Sequence, residues 1–276
     1  MTIVAEHDGD GADWKRQADW KRQDVRHHDR EARFYDRLIG REYAPYQRTH
    51  TADVWARLLA DAGAVIALDV GAGTGSTAIP VASAGTAVIA LDTSPGMLRV
   101  LRAKAHDAGL GRVWPVIGDA ERLPLANGAV DGVTCQGVLH HLPDVSGALS
   151  EADRVLAGGG WLCLAEPDAD TSRLATGVRR LLALLRPFAR HLGGRRSPAT
   201  VNERPLDPGV LHAPLAAHGY ASVTHYLVHP PYVYRLLPAA ASQGLAGWLN
   251  RGDCARRRPA DICVVRARKP RSLSPV

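Results

Sequence analysis

The chain has 276 residues, 46% of them hydrophobic and 22% charged, with a net charge of +6. That length suits one elaborated domain with a full core, and the composition excludes a collagenous or disordered chain. No apolar run reaches the ~18 residues that span a bilayer, and residues 1–11 lack an apolar signal region.

Cys135, Cys163, Cys254 and Cys263 show neither C-x-x-C pairing nor metal-ligand spacing. The expectation is a cytoplasmic, reduced protein with no metal and no membrane partner. Residues 171–276 carry 17 basic and 4 acidic side chains, mostly arginine, whereas residues 51–170 carry 7 and 14. These arginines are scattered with few aromatics between them, which reads as a solvated surface, so a nucleic-acid partner is not expected.

In chain order, residues 12–23 repeat the hexapeptide Ala-Asp-Trp-Lys-Arg-Gln. Six residues advance a helix by about 600°, so Trp14 and Trp20 fall on different faces and a strictly amphipathic docking helix is not encoded. Helix propensity continues to Arg41. Residues 1–48 therefore read as a helical arm that either covers a cleft or packs on a second copy as a homo-oligomer.

From residue 49 to 276 the pattern is one domain. A helix over 51–61 places Val54, Leu58 and Leu59 on one face. Strands follow near 64–70, 86–92, 112–118, 130–136 and 160–166, with helices near 76–84, 94–108 and 145–157. Later come helices near 173–192, 210–218 and 235–250, and strands at 222–229 and 261–268. Alternating strands and helices imply right-handed crossovers and a parallel sheet covered on both faces. Insertions near 170–209 and 230–258 read as a helical lid over a sizeable acceptor.

The first strand runs into Asp69-Val70-Gly71-Ala72-Gly73-Thr74-Gly75. Glycines at alternate positions between strand and helix turn the backbone sharply and let a ligand approach where a Cβ would collide. The helix that follows offers free N–H groups. The second strand ends at Asp92, about twenty residues on, where an acid accepts ribose hydroxyls. The third ends in Gly118-Asp119-Ala120.

These motifs, with Asp92-Thr93-Ser94-Pro95-Gly96-Met97, His140-His141-Leu142-Pro143-Asp144 and Glu166-Pro167, resemble the class I S-adenosylmethionine (SAM) methyltransferases. The resemblance is close over residues 49–168. It implies a Rossmann-like α/β fold with a seven-stranded, mostly parallel sheet, the last strand antiparallel. It also implies SAM as cofactor, S-adenosylhomocysteine as product, and a small-molecule acceptor, with a specialised (natural-product) metabolite methylated at O, N or C as the expectation.

By the same resemblance, Asp69, Gly71, Gly73, Gly75, Asp92, Thr93, Met97, Asp119, Ala120 and Gln136 bind the cofactor. Tyr35, Tyr43 and Tyr46, just before the core, are candidates to close over the methyl donor. His141 and His140 follow the fourth strand, where an imidazole can take a proton near neutral pH. Glu166 is a further acid/base candidate. Two other readings stand beside this one: an RNA or protein methyltransferase docking through the basic segment, and a cyclase or binding protein that retains SAM.

Overall fold

The apolar runs assemble side by side into a single sheet. The computed structural model describes residues 10–37, 45, 47, 50–168, 204, 206–227, 238–249 and 262–271. In chain order these form α1 (Asp10–Glu31), α2 (Ala52–Asp61), β1 (Ile66–Val70), α3 (Ala78–Ser83), β2 (Ala87–Asp92), α4 (Pro95–Asp107), β3 (Val113–Ile117), β4 (Val130–Gln136), a 3₁₀ turn (Leu139–His141), α5 (Val145–Val155), β5 (Leu156–Pro167), α6 (Pro208–Ala217), β6 (Ala221–Leu227), α7 (Ala239–Leu249) and β7 (Ile262–Arg268).

The strand order is β3-β2-β1-β4-β5-β7-β6. β1 to β5 pair in parallel, and β7 runs antiparallel between β5 and β6. This is the seven-stranded, mostly parallel Rossmann-like sheet that the motifs imply.

Side chains alternate across the sheet, as the strand period of two requires. Leu68, Val70 and Leu91 face α5 and α6, whose Ala148, Leu149, Ala152, Leu211 and Leu215 complete one core layer. Ala67, Val88 and Ala90 face α2, α3 and α4 through Leu59, Val81, Leu98 and Leu101. Each fully buried leucine of this kind contributes roughly 1.5 to 3 kcal/mol. In β4, a side chain at Gly132 would come within 2.4 Å of Leu59, so this glycine lets α2 lie flat on the sheet.

Several local expectations need correction. The buried face of α2 is Ala52, Trp55, Ala56 and Leu59, with Val54 and Leu58 only half-buried. Trp55 and Leu59, four residues apart, carry more area than the expected valine and so set the face. α5 stops at Val155 because Leu156 already pairs with Val130, and β5 begins four residues early through a register shift beside Gly158, Gly159 and Gly160. The arm helix expected through Arg41 is interrupted after Glu31: the chain turns at residues 32–34, where Phe34 N–H donates to Glu31 O, and is helical again at 35–37, beyond which the arm lies outside the described residues up to residue 44.

The described part of the arm contacts the domain of the same chain. It docks without an apolar stripe. Asp29 Oδ1 accepts from Ser94 Oγ–H at 2.6 Å and from Gly96 N–H at 2.7 Å, at the start of α4. A Cβ on Gly96 would meet Asp29 Oδ1 at 2.6 Å, so the absence of a side chain there permits the approach. Asp36 accepts from Thr74 Oγ–H at 2.6 Å and pairs with Lys104 at 2.9 Å. Tyr43, Tyr46, the helix expected at 173–192 and most of the two insertions lie outside the described residues.

Candidate active site

The carboxyl ends of the parallel strands open onto a cleft whose floor is the glycine turn. Gly71, Gly73 and Gly75 all have positive φ (65°, 52° and 91°), a region that side-chain-bearing residues avoid. A Cβ at Gly71 would stand 2.2 Å from Val138 Cγ2, filling the space between the first and fourth strand loops. Gly71 and Gly73 line the cleft, whereas Gly75 packs beneath it, where a Cβ would press on Ile79 and Leu101 at 3.0 and 3.1 Å.

Asp92 fastens this floor. Its Oδ2 accepts from Gly73 N–H and its Oδ1 from Ser94 N–H, both at 2.8 Å. Burial raises its pKa, opposed by these two N–H donors. Thr93, Met97, Asp119, Ala120 and Gln136 line the same cleft.

Asp69 does not reach the cleft. It is buried under the turn, its Oδ1 accepting from Thr134 Oγ–H at 2.7 Å, while Oδ2 has no hydrogen-bond partner. Burial pushes its pKa up to about 7. It is therefore a support of the turn, not a group aimed at a ligand.

The opposite wall is the arm. Trp20, Lys21, Asp24, His28 and Tyr35 all line the cleft. Trp20 Nε1–H donates to the His141 carbonyl at 2.9 Å. Lys21 bridges Asp119, at 2.6 Å, and Glu121, whose hydrogen bonds raise its pKa against the effect of burial. None of these four arm residues before Tyr35 was singled out from the sequence. The signal was there: Trp20, Asp24 and His28 are spaced by four and share a helix face. Comparing only Trp14 with Trp20 hides it.

The three catalytic candidates separate. His141 lines the cleft, with Nδ1 3.3 Å from Asp24 Oδ1 and its ring 5.6 Å, edge to face, from His28. Glu166 is buried and faces away from the cleft. Its Oε1 accepts from Val138 and Leu139 N–H, at 3.0 and 2.9 Å, and its Oε2 takes the His140 ring Nδ1–H at 2.8 Å. Glu166 and His140 thus brace the 3₁₀ turn that carries His141. A buried carboxylate already holding several donors is a bracing group, not an acid or base for an acceptor. Asp144 caps α5 by accepting from Ser146 N–H at 2.9 Å.

Asp24 sits between the two cleft histidines. Burial alone would raise its pKa, but His141 and His28 hold it well below the usual carboxylate range. His28 in turn is raised: burial opposes the charged form, and Asp24, Asp92 and Glu31 outweigh it.

A family profile described as "Methyltransferase domain" matches residues 68–164. A ubiquinone/menaquinone biosynthesis C-methyltransferase of Methylobacterium nodulans is 35% identical over 178 residues, covering 58% of this chain and 68% of that protein. A demethylmenaquinone methyltransferase of Renibacterium salmoninarum is 42% identical over 116 residues, 41% of this chain; the match spans only 47%, about half, of that relative's length. The crystal structure of a magnesium protoporphyrin IX methyltransferase from Synechocystis, with S-adenosylhomocysteine bound, superimposes with a TM-score of 0.55 at 17% identity, covering 83% of this chain and 86% of that one. With the glycine floor and the acid-ended strands, these matches make the chain a member of the class I S-adenosylmethionine-dependent methyltransferases.

Proposed function

We propose that this methyltransferase alkylates a small aromatic acceptor bearing an ionisable hydroxyl, at that oxygen or at a ring carbon activated by it, with His141 taking the proton. The observation that carries the reading is the His141–Asp24 pair on the cleft wall opposite the glycine floor. Trp20 and Tyr35 on the same wall suit an aromatic ring. The two relatives, named for quinone biosynthesis, support an acceptor of the quinol class. A specialised metabolite of similar chemistry, met in the cytoplasm, fits the same wall. Among the described residues, no helix is long and apolar enough to cross a membrane.

SAM supplies a methyl group already activated on a sulfonium, so the protein's task is positioning, exclusion of water and proton removal. In this reading Gly71 and Gly73 bring the backbone against the cofactor, Gly75 and Asp69 hold the turn, and Asp92 takes the ribose hydroxyls. Met97 and Ala120 flank the adenine, Asp119 faces its amino group, and Thr93 and Gln136 complete the wall. His141 accepts the acceptor's proton at Nε2 while Asp24, beside Nδ1, stabilises the resulting imidazolium. Glu166 and His140 fix the turn beneath it, and the arm, through Trp20 and Tyr35, keeps water out. Tyr43 and Tyr46 stay candidates for the same closure, outside the described residues.

The test is to incubate the enzyme with labelled SAM and a matched panel of phenols, hydroquinones, amines and short RNAs. Label transfer to hydroxylated rings, rising with pH to a plateau and lost in His141→Ala, is expected. Transfer to amines or RNA alone would overturn it.

A further inference from the structure

Asp24, His28 and His141 make a cluster that proton transfer alone does not account for. One donor atom from each lies within 4.8 Å of the others. His141 Nδ1 is 3.3 Å from Asp24 Oδ1, and His28 Nε2 is 3.6 Å from Asp24 Oδ2. Donors bound tetrahedrally at the ~2.0 to 2.1 Å of a zinc bond stand about 3.3 to 3.4 Å apart. The His141–Asp24 separation matches one edge of such a tetrahedron, while Asp24 faces His28 with its other oxygen.

Asp24 Oδ1 is a buried atom with no well-formed hydrogen bond, and the His141 ring stands 3.3 Å from it. A buried carboxylate oxygen in that position is suited to a ligand. Asp24 and His28, four residues apart, lie on one face of α1, and His141 is presented by the braced turn after β4. All three line the cleft, so a fourth position faces its interior.

We propose that Asp24, His28 and His141 bind one divalent transition-metal ion of the zinc class, which ties the arm to the loop after β4. Two imidazoles and one carboxylate favour Zn²⁺, Co²⁺ or Ni²⁺ over the oxygen-seeking Mg²⁺ and Ca²⁺. Three protein ligands with an open fourth position form a site that water or an acceptor hydroxyl can join. The site stands on the geometry of the cluster. An ion held at His141 Nδ1 would leave the ring's proton on Nε2, so metal binding and the proton transfer assigned to His141 exclude one another in the same molecule, and the titration below decides between them.

The experiment uses the full chain without a histidine tag, treated with chelator and exchanged into clean buffer. Co²⁺ is titrated by visible absorption and Zn²⁺ by calorimetry, on wild type, His28→Ala, Asp24→Asn and the exposed control His106→Ala, each checked for its melting transition. The expected result is one ion per chain with micromolar or tighter affinity and tetrahedral cobalt bands. Binding should weaken at least about ten-fold in His28→Ala and Asp24→Asn. It should be unchanged in His106→Ala and after alkylation of the thiols. If His28→Ala does not fold, His28→Gln takes its place. Wild type that binds neither ion, or binding that survives both arm substitutions or vanishes on alkylation, overturns the site.

Discussion

Lys21 Nζ lies 2.6 Å from Asp119 Oδ2, so the arm holds the acid that ends the third strand. The other oxygen, Oδ1, accepts from Glu121 N–H at 3.0 Å. An adenine amino group approaching Asp119 has to share Oδ2 with this ammonium. Both partners are about one-third exposed, which limits the pair to roughly 0.2 to 1 kcal/mol. Lys21→Gln should therefore tighten SAM binding by up to about five-fold, with the gain shrinking as salt screens the wild-type pair. Calorimetry at two ionic strengths checks this; weaker binding in the variant would mean that Lys21 helps to seat the cofactor.

Asp92 has a double task, and its removal should show both. Asp92→Ala loses the ribose contact and also the bonds that tie Gly73 and Ser94 N–H together. Charge-assisted bonds of this kind are worth ~1.5 to 3 kcal/mol each. SAM affinity should fall by at least about ten-fold, with a smaller loss of melting temperature. A folded variant with unchanged affinity would remove Asp92 from the cofactor site.

The adjacent histidines should separate in function. His141→Ala should lower turnover about 10² to 10⁴-fold with SAM affinity nearly intact. His140→Ala instead deprives buried Glu166 of a donor and should cost about 1 to 3 kcal/mol of stability, with turnover of the folded fraction little changed. Single-turnover kinetics and thermal melts on both variants decide it. Equal kinetic losses would mean that the pair acts as a unit.

Asp69 gives a pH signature. Its pKa, pushed up to about 7 by burial, exceeds its unfolded value near 3.8. Between those values the folded protein keeps a proton that the unfolded chain has released. The group's favourable contribution is thus full below pH 4 and is lost as pH rises toward 7. Asp69→Asn carries no such proton, so its melting temperature should match wild type at pH 4 and exceed it by several degrees at pH 8. Parallel melting curves across that range would show that the carboxyl is not strained by burial.

The strands, and the residues placed on the glycine side of the cleft, were legible because each rests on local signals: apolar runs of strand length, glycines at alternate positions, an acid at each strand end. The arm wall was not. Its cleft-facing residues Trp20, Lys21, Asp24 and His28 are polar or amphipathic, and each finds its partner roughly a hundred residues on, at Asp119, Glu121 or His141. Burial of Asp69 and Glu166 was equally hidden. Sequence position places a carboxylate at a strand end, but only the packed sheet decides whether it points into the cleft or into the loop beneath it. The cluster of Asp24, His28 and His141 was hidden as well, since residues drawn from one helix face and one distant turn have no spacing to read.

The position of β7 between β5 and β6 bears on how the molecule is made. Among the described residues, β6 pairs with the sheet through β7 alone. As the chain leaves the ribosome, β1 to β5 can join in sequence, each next to a strand already in place, but β6 emerges before β7, its neighbour in the sheet, has been made. It has to wait, with Leu227 uncovered, for some forty further residues to be synthesised. The free edge of β5 is exposed over the same interval, and it is there that a nascent or truncated chain should pair with the wrong strand.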